Sequence, residues 1–173
     1  KISAFYKSID DLMVYVNNPS VVNRFDVIYD NGNTRLLGLD RQLSIKASDV
    51  INVSGKAQLL NYELSTEKEA WFKPTVRLVS NVRAGINKKL FIDGELVFQG
   101  ETYAKIMSPA PSSPEQTAKI NGFMDLSAGA GYQINNKIGV FLRINNLLDN
   151  SYQKYLYYSK LGMNIFGGLN YSF

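Results

Sequence analysis

The last ten residues, Asn164–Phe173, read NIFGGLNYSF. They carry no charge and no proline, and their apolar residues recur every second position rather than at helical spacing. Met163, Ile165, Gly167, Leu169, Tyr171 and Phe173 fall on one side; Asn164, Phe166, Gly168, Asn170 and Ser172 fall on the other. A period of two places alternate side chains on opposite faces of an extended strand.

The same rhythm runs upstream. Ile138, Val140, Leu142 and Ile144 oppose Gly139, Phe141, Arg143 and Asn145. It recurs over 51–59, 76–86, 90–106 and 120–134. On the apolar side of these six segments no residue is charged, although Asp, Glu, Lys and Arg make up 20% of the chain. The opposite side holds Arg77, Arg83, Asp93, Glu95, Glu101, Lys105, Asp125 and Arg143. The two faces are built for different solvents.

Alternation alone leaves two architectures. In a soluble sandwich or small barrel the apolar face is the core. In a membrane barrel it faces lipid and the polar face lines the lumen. The connections separate them. Short links at 47–49, 87–89 and 135–137 alternate with long ones near 12–33, 63–73, 107–118 and 149–162. Short turns at one end and long loops at the other are the pattern of an outer-membrane barrel. The reading is an all-β, antiparallel, up-and-down transmembrane barrel. Its eight strands lie near 2–11, 34–46, 50–62, 74–86, 90–106, 119–134, 138–148 and 163–173. They form either a closed small barrel or the C-terminal part of a larger one.

Local details follow. The first long loop is expected to pair Leu12–Val16 with Phe25–Tyr29, and YDNGNT (29–34) reads as a hairpin-type turn. Arg41 falls in the apolar phase of Leu37, Leu39, Leu43 and Ile45. A lipid-facing arginine costs about 2–4 kcal/mol at the midplane and little near the interface. A phase-shifting bulge, snorkelling, or contact with a protein or an anionic lipid head group would each accommodate it. The loop SPAPSSPEQ (108–116) is polar and proline-rich.

Composition narrows the chemistry. The 173 residues contain no Cys and no His, which removes disulfides, thiolate nucleophiles, Cys/His zinc sites and histidine bases. No nucleophile–base pair stands at a recognisable spacing, so no enzyme, metal or cofactor is expected. The net charge of +4 comes without a basic block, and no nucleic acid is expected as a partner. The inward charges read as a lumen network of nearly balanced sign. Trp71, Tyr152, Tyr155, Tyr157 and Tyr158 gather at the long-loop end, as an interface girdle or an extracellular ligand surface.

The stretch FLRINNLLDNSYQKYLYYSKLGMNIFGGLNYSF (141–173) resembles the C-terminal end of TonB-dependent outer-membrane receptors. The resemblance lies in the Asn146–Tyr152 run, the Tyr-rich loop, and the final Gly-Met-Asn-Ile-Phe-Gly-Gly with its terminal Phe. GLDRQLSI (38–45) and ISAFYKSIDDL (2–12) look like inner barrel strands of that family. The resemblance implies a bacterial outer-membrane location, a nutrient-transport role, and a plug domain and TonB-type coupler outside this chain. Neither a plug nor a leader is visible, and residues 1–173 are read as barrel strands that begin inside a strand. They are expected to be a fragment; a self-contained eight-stranded barrel with a structural, anchoring or adhesive role is the alternative. The terminal strand also reads as an assembly signal: Gly167, Leu169, Tyr171 and Phe173 offer an uncharged edge to the barrel-assembly machinery.

Overall fold

A computed structural model describes residues 1–21, 24–108 and 114–173. The chain is all β. In order, β1 spans Ile2–Asn18, β2 Arg24–Lys46, β3 Ile51–Glu63, β4 Val76–Gly85, β5 Leu90–Gln99 and β6 Thr102–Ile106. β7 follows at Gln116–Ile120, β8 at Phe123–Gln133, β9 at Ile138–Asn145, β10 at Gln153–Tyr155, β11 at Tyr158–Ser159 and β12 at Asn164–Tyr171. Ten strands form one sheet in the order β12-β9-β8-β5-β4-β3-β2-β1-β6-β7, and β10 and β11 pair separately.

The eight expected passes are present as an antiparallel meander of β1, β2, β3, β4, β5, β8, β9 and β12. Closure is not. β12 and β1 lie far apart in the strand order, so the sheet is open and the closed eight-stranded barrel is set aside. Eight strands enclose only their own side chains, whereas this inner wall also carries folded-in chain, the β10–β11 hairpin among it.

The faces are as the alternation requires. Leu39, Leu43, Leu59, Leu78, Val82, Leu142 and Leu169 are exposed on the outer surface, Leu142 at 52%. On the inner surface, three phenylalanines lie over glycines across the strand pairing. The Phe5 ring occupies the space of a Cβ at Gly38, Phe91 does so at Gly131, and Phe141 at Gly168. Each ring shields backbone that the glycine leaves bare, which is how aromatics rescue glycines in sheets. Arg83 then stacks on Phe91 with its guanidinium 4.0 Å from the ring centroid.

Three features differ from the sequence reading. The segments 90–106 and 119–134 are each broken, at Gly100–Glu101 and Asn121–Gly122. β4 begins at Val76, so beyond Gln99 the β5–β8 hairpin loses its neighbour and bends away as β6–β7. A Cβ at Gly122 would sit 2.7 Å from the Gln99 carbonyl oxygen, so only glycine permits this bend. Thr102, Ala104 and Ile120, in apolar phase by alternation, are therefore buried in protein rather than facing outward.

YDNGNT is a bulge inside a continuous β2, not a turn. The register slips between Asp10 and Leu12, with Asp11 at φ 50° and Gly32 at φ 113°. Asp11 turns β1 over: even residues face outward as far as Asp10, and the odd residues Met13 and Tyr15 do so beyond it. Leu12–Val16 pairs with Asp26–Asp30, one residue along from the expected Phe25–Tyr29. At Arg41 the register with Ile2 and Ala57 is unbroken, so no bulge removes it from the outer face. SPAPSSPEQ lies largely outside the described residues.

Candidate functional site at the long-loop end

Above the wall the loops build a second structure with its own core. Val14 and Val16, inward after the bulge, pack with Trp71 against Leu12, Ile28, Phe72, Tyr103 and Met107. These come from the β1–β2 hairpin, the 64–75 loop and the β6–β7 hairpin. Backbone bonds lock the three together: Phe72 N donates to Tyr103 O at 2.9 Å, and Met107 N to Asn17 O at 3.0 Å.

Asp30 fastens the 64–75 loop. Fully buried, its carboxylate accepts from the amides of Ser65 (2.8 Å), Thr66 (2.6 Å) and Glu67 (2.8 Å), and from the Thr34 and Thr66 hydroxyls. Burial alone would raise its pKa. The hydrogen bonds from Ser65, Thr34, Glu67 and Thr66 outweigh it and hold the group well below the usual carboxylate range. Glu67 then accepts from Trp71 Nε1 at 2.7 Å and pairs with Lys105 at 3.1 Å; Lys105 also meets Glu115 at 3.0 Å.

The last loop is tied at its base by the NLLDN run. Asn146, fully buried at φ 51°, donates to the carbonyls of Asn150 and Leu161, one on each foot of the loop. Asp149, at φ 48°, accepts from Met163 N at 2.7 Å. Asn and Asp tolerate this left-handed backbone better than other side chains. Further along, the Tyr152 ring stacks on Phe123 at 3.9 Å, and its hydroxyl donates to Asp125 at 2.5 Å. Lys160 Nζ meets the same carboxylate at 2.8 Å.

The β10–β11 hairpin then reaches across the mouth to the first hairpin. Tyr158 stacks on Phe25 with centroids 5.3 Å apart, Tyr155 contacts Phe25 and Phe72, and Phe25 meets Phe72 edge-on at 5.6 Å. Beneath the hairpin lies a cavity of about 400 Å³ walled by Arg77, Glu95, Gln99, Asp125, Lys154 and Tyr158. It joins the charged wall to the aromatic clasp at Tyr158.

The expected residues therefore divide. Of the aromatic group, Tyr155 and Tyr158 meet in the clasp and Tyr157 stands exposed at φ 71°. Trp71 is buried in the cap core and Tyr152 against the wall, so both face protein. The inward charges form separate clusters rather than one network. Arg143 pairs with Asp93 at 2.8 Å and Glu95 at 3.7 Å. Asp125 belongs to Lys160 and Tyr152; Glu101 pairs with Lys119, and Lys105 with Glu67, both within the cap. Arg83 stacks on Phe91, and Arg77 faces the cavity. Leu169 and Tyr171 on β12 and Phe173 beyond its end are exposed, while Gly167 approaches the Phe141 carbonyl. Asp30, Glu67, Phe25, Asn146 and Lys160 had no site role in the sequence reading, which placed Phe72 only among the aromatics at the long-loop end. Phe25 lay in the Phe25–Tyr29 pairing segment, Asp30 in YDNGNT, and Asn146 and Lys160 in the 141–173 stretch, whereas Glu67 lay in a segment noted only as a long connection.

No protein-family model matches the chain, and no curated protein is significantly similar to it. Solved structures are. FpvA of Pseudomonas aeruginosa bound to heterologous pyoverdines matches 98% of this chain at 16% identity, with a TM-score of 0.76. The siderophore receptor PirA from Acinetobacter baumannii matches 99% at 13% identity and TM-score 0.76. The ferric-catecholate import receptor Fiu from E. coli matches 97% at 16% identity and TM-score 0.70. The chain spans 24%, 29% and 24% of those proteins. Its fold matches a sector of the β-barrel of these solved receptors.

Proposed function

We propose that this chain is part of the wall and extracellular cap of an outer-membrane receptor that takes up a nutrient, with a plug domain and a TonB-type coupler supplied from outside these residues. Ferric siderophores are the substrate class to test first, because the receptors of like fold are described for ferripyoverdine and ferric catecholate. The carrying observation is the cap: long loops fold inward over the wall and meet in the Phe25–Phe72–Tyr155–Tyr158 clasp above a charged cavity. A wall alone needs no such lid.

The role is transport rather than catalysis, and the inward charges position chain and ligand. The terminal strand, with Gly167, Leu169, Tyr171 and Phe173, serves as the edge that the barrel-assembly machinery captures, and membrane lipid meets the outer face. Deleting the gene should abolish energy-dependent accumulation of at least one radiolabelled ferric siderophore by iron-starved cells. Restoring Tyr155→Ala with Tyr158→Ala should weaken binding at the cell surface. Unchanged uptake across a broad siderophore panel would overturn the reading.

A further inference from the structure

The outer face carries one charge that the transport role leaves unexplained. Arg41 is exposed in the apolar band, and among the described residues its side chain makes no hydrogen bond or ion pair. Its outward neighbours across the sheet are Ile2 and Ala57, neither of which can answer the charge. Ile2 also separates it from whatever lies beyond the edge of β1, since adjacent strands are about 5 Å apart.

Its depth is informative. Arg41 precedes Lys46, the end of β2, by five residues (46 − 41). At ~3.3 Å per residue and ~45° tilt, that places its Cα roughly 12 Å above the short turns, within the leaflet nearer the periplasm. Leu43 and Ile45 lie between it and that boundary, both exposed. A long guanidinium stem can snorkel that way, and Gly55, opposite Leu43, leaves the adjoining surface low.

On the side of Arg41 toward the bilayer centre, a shallow, largely open apolar groove of about 710 Å³ lies on the outer face. Ala4, Leu39 and Leu59, the next outward residues after Ile2, Arg41 and Ala57, form its near end; Leu37 and Tyr6 lie beyond. A cation toward the periplasm and an apolar trough toward the bilayer centre match a lipid of the periplasmic leaflet, head down and tail up. We propose that Arg41 and this groove hold one anionic phospholipid, its phosphate on the guanidinium and an acyl chain along Leu39 and Leu59. A planar guanidinium suits a phosphate because two parallel N–H donors meet two oxygens.

The inference rests on the outer-membrane reading, and the test separates the two. The intact protein is extracted in detergent and its retained lipids are measured by native mass spectrometry with added phosphatidylglycerol, phosphatidylcholine or lipopolysaccharide. Wild type should retain phosphatidylglycerol selectively. Arg41→Gln should lower that retention about tenfold, a difference of 1.4 kcal/mol, while Arg41→Lys keeps much of it. Arg35→Gln, at the long-loop end and 3.8 Å from Glu63, should change nothing. Heat-modifiable gel mobility checks that each variant is folded. Equal retention of both phospholipids, indifference to Arg41→Gln, or a loss confined to lipopolysaccharide would each overturn the site. A protein that stays dispersed without detergent and carries no lipid would instead overturn the membrane reading beneath it.

Discussion

The wall and the cap bury opposite things. In the wall, Leu142 stands 52% exposed and Arg143, the next residue, turns inward to Asp93. In the cap, Val16 is 0% exposed, while its neighbour Tyr15 is turned out. The same period-two sequence thus serves two solvents within one strand pair, with the bulge at Asp11 marking the change. Below it the sheet needs hydrocarbon outside; above it the hairpin needs a protein core. The cap is therefore a small water-soluble structure grown on a lipid-soluble one, and the two should fail independently.

Trp71→Ala is the severest test of the cap. Truncating a buried aromatic typically costs about 3–5 kcal/mol, so the 64–75 loop should become protease-sensitive while the wall keeps its heat-modifiable mobility. Loss of both together would show that the two are one cooperative unit. Leu78→Arg tests the wall: seven residues (85 − 78) from Gly85 at the short-turn end of β4, and so deeper than Arg41, it should cost about 2–4 kcal/mol as a lipid-facing arginine near the midplane. Insertion should fail, whereas Lys105→Ala in the cap should leave insertion intact. Equal assembly of these two variants would reverse the assignment of faces.

Asp30→Ala leaves the amides of residues 65–67 without their acceptor, a loss of about 1–3 kcal/mol for buried donors. Hydrogen exchange should rise there and not in β3–β5. The pH dependence has a fixed sign: a carboxylate held below its unfolded pKa stabilises the cap fully above about pH 4, and that contribution fades as pH falls toward the lowered value. Protection of residues 65–67 that grew on acidification would contradict the clip. The smallest effect belongs to Arg143→Ala. Its partners are partly solvated, and such pairs contribute about 0–1 kcal/mol, so stability should barely move.

The pairing of the first long loop was legible because alternation persisted through Leu12–Val16 and Phe25–Tyr29. The sorting of short and long connections gave the membrane setting, and the C-terminal run gave the receptor resemblance. What escaped was where a strand stops belonging to the wall. Thr102 and Ala104 alternate as smoothly as Leu96 and Phe98, yet one pair is buried in the cap and the other faces outward. Nothing local in 90–106 records that β4 begins only at Val76. YDNGNT has the residues of a turn because a bulge and a turn both require positive φ.

Sequence by itself determined the period of two, the two incompatible faces and the end at which the long loops lie, because these depend on neighbours one or two residues apart. Only the tertiary structure decided that the sheet stays open, that Trp71 and Tyr152 turn into protein, and that Phe25 and Phe72 meet Tyr155 and Tyr158. Those contacts join residues far apart in the chain. Each is fixed by which strand runs out of neighbours first, and that is a property of the whole sheet.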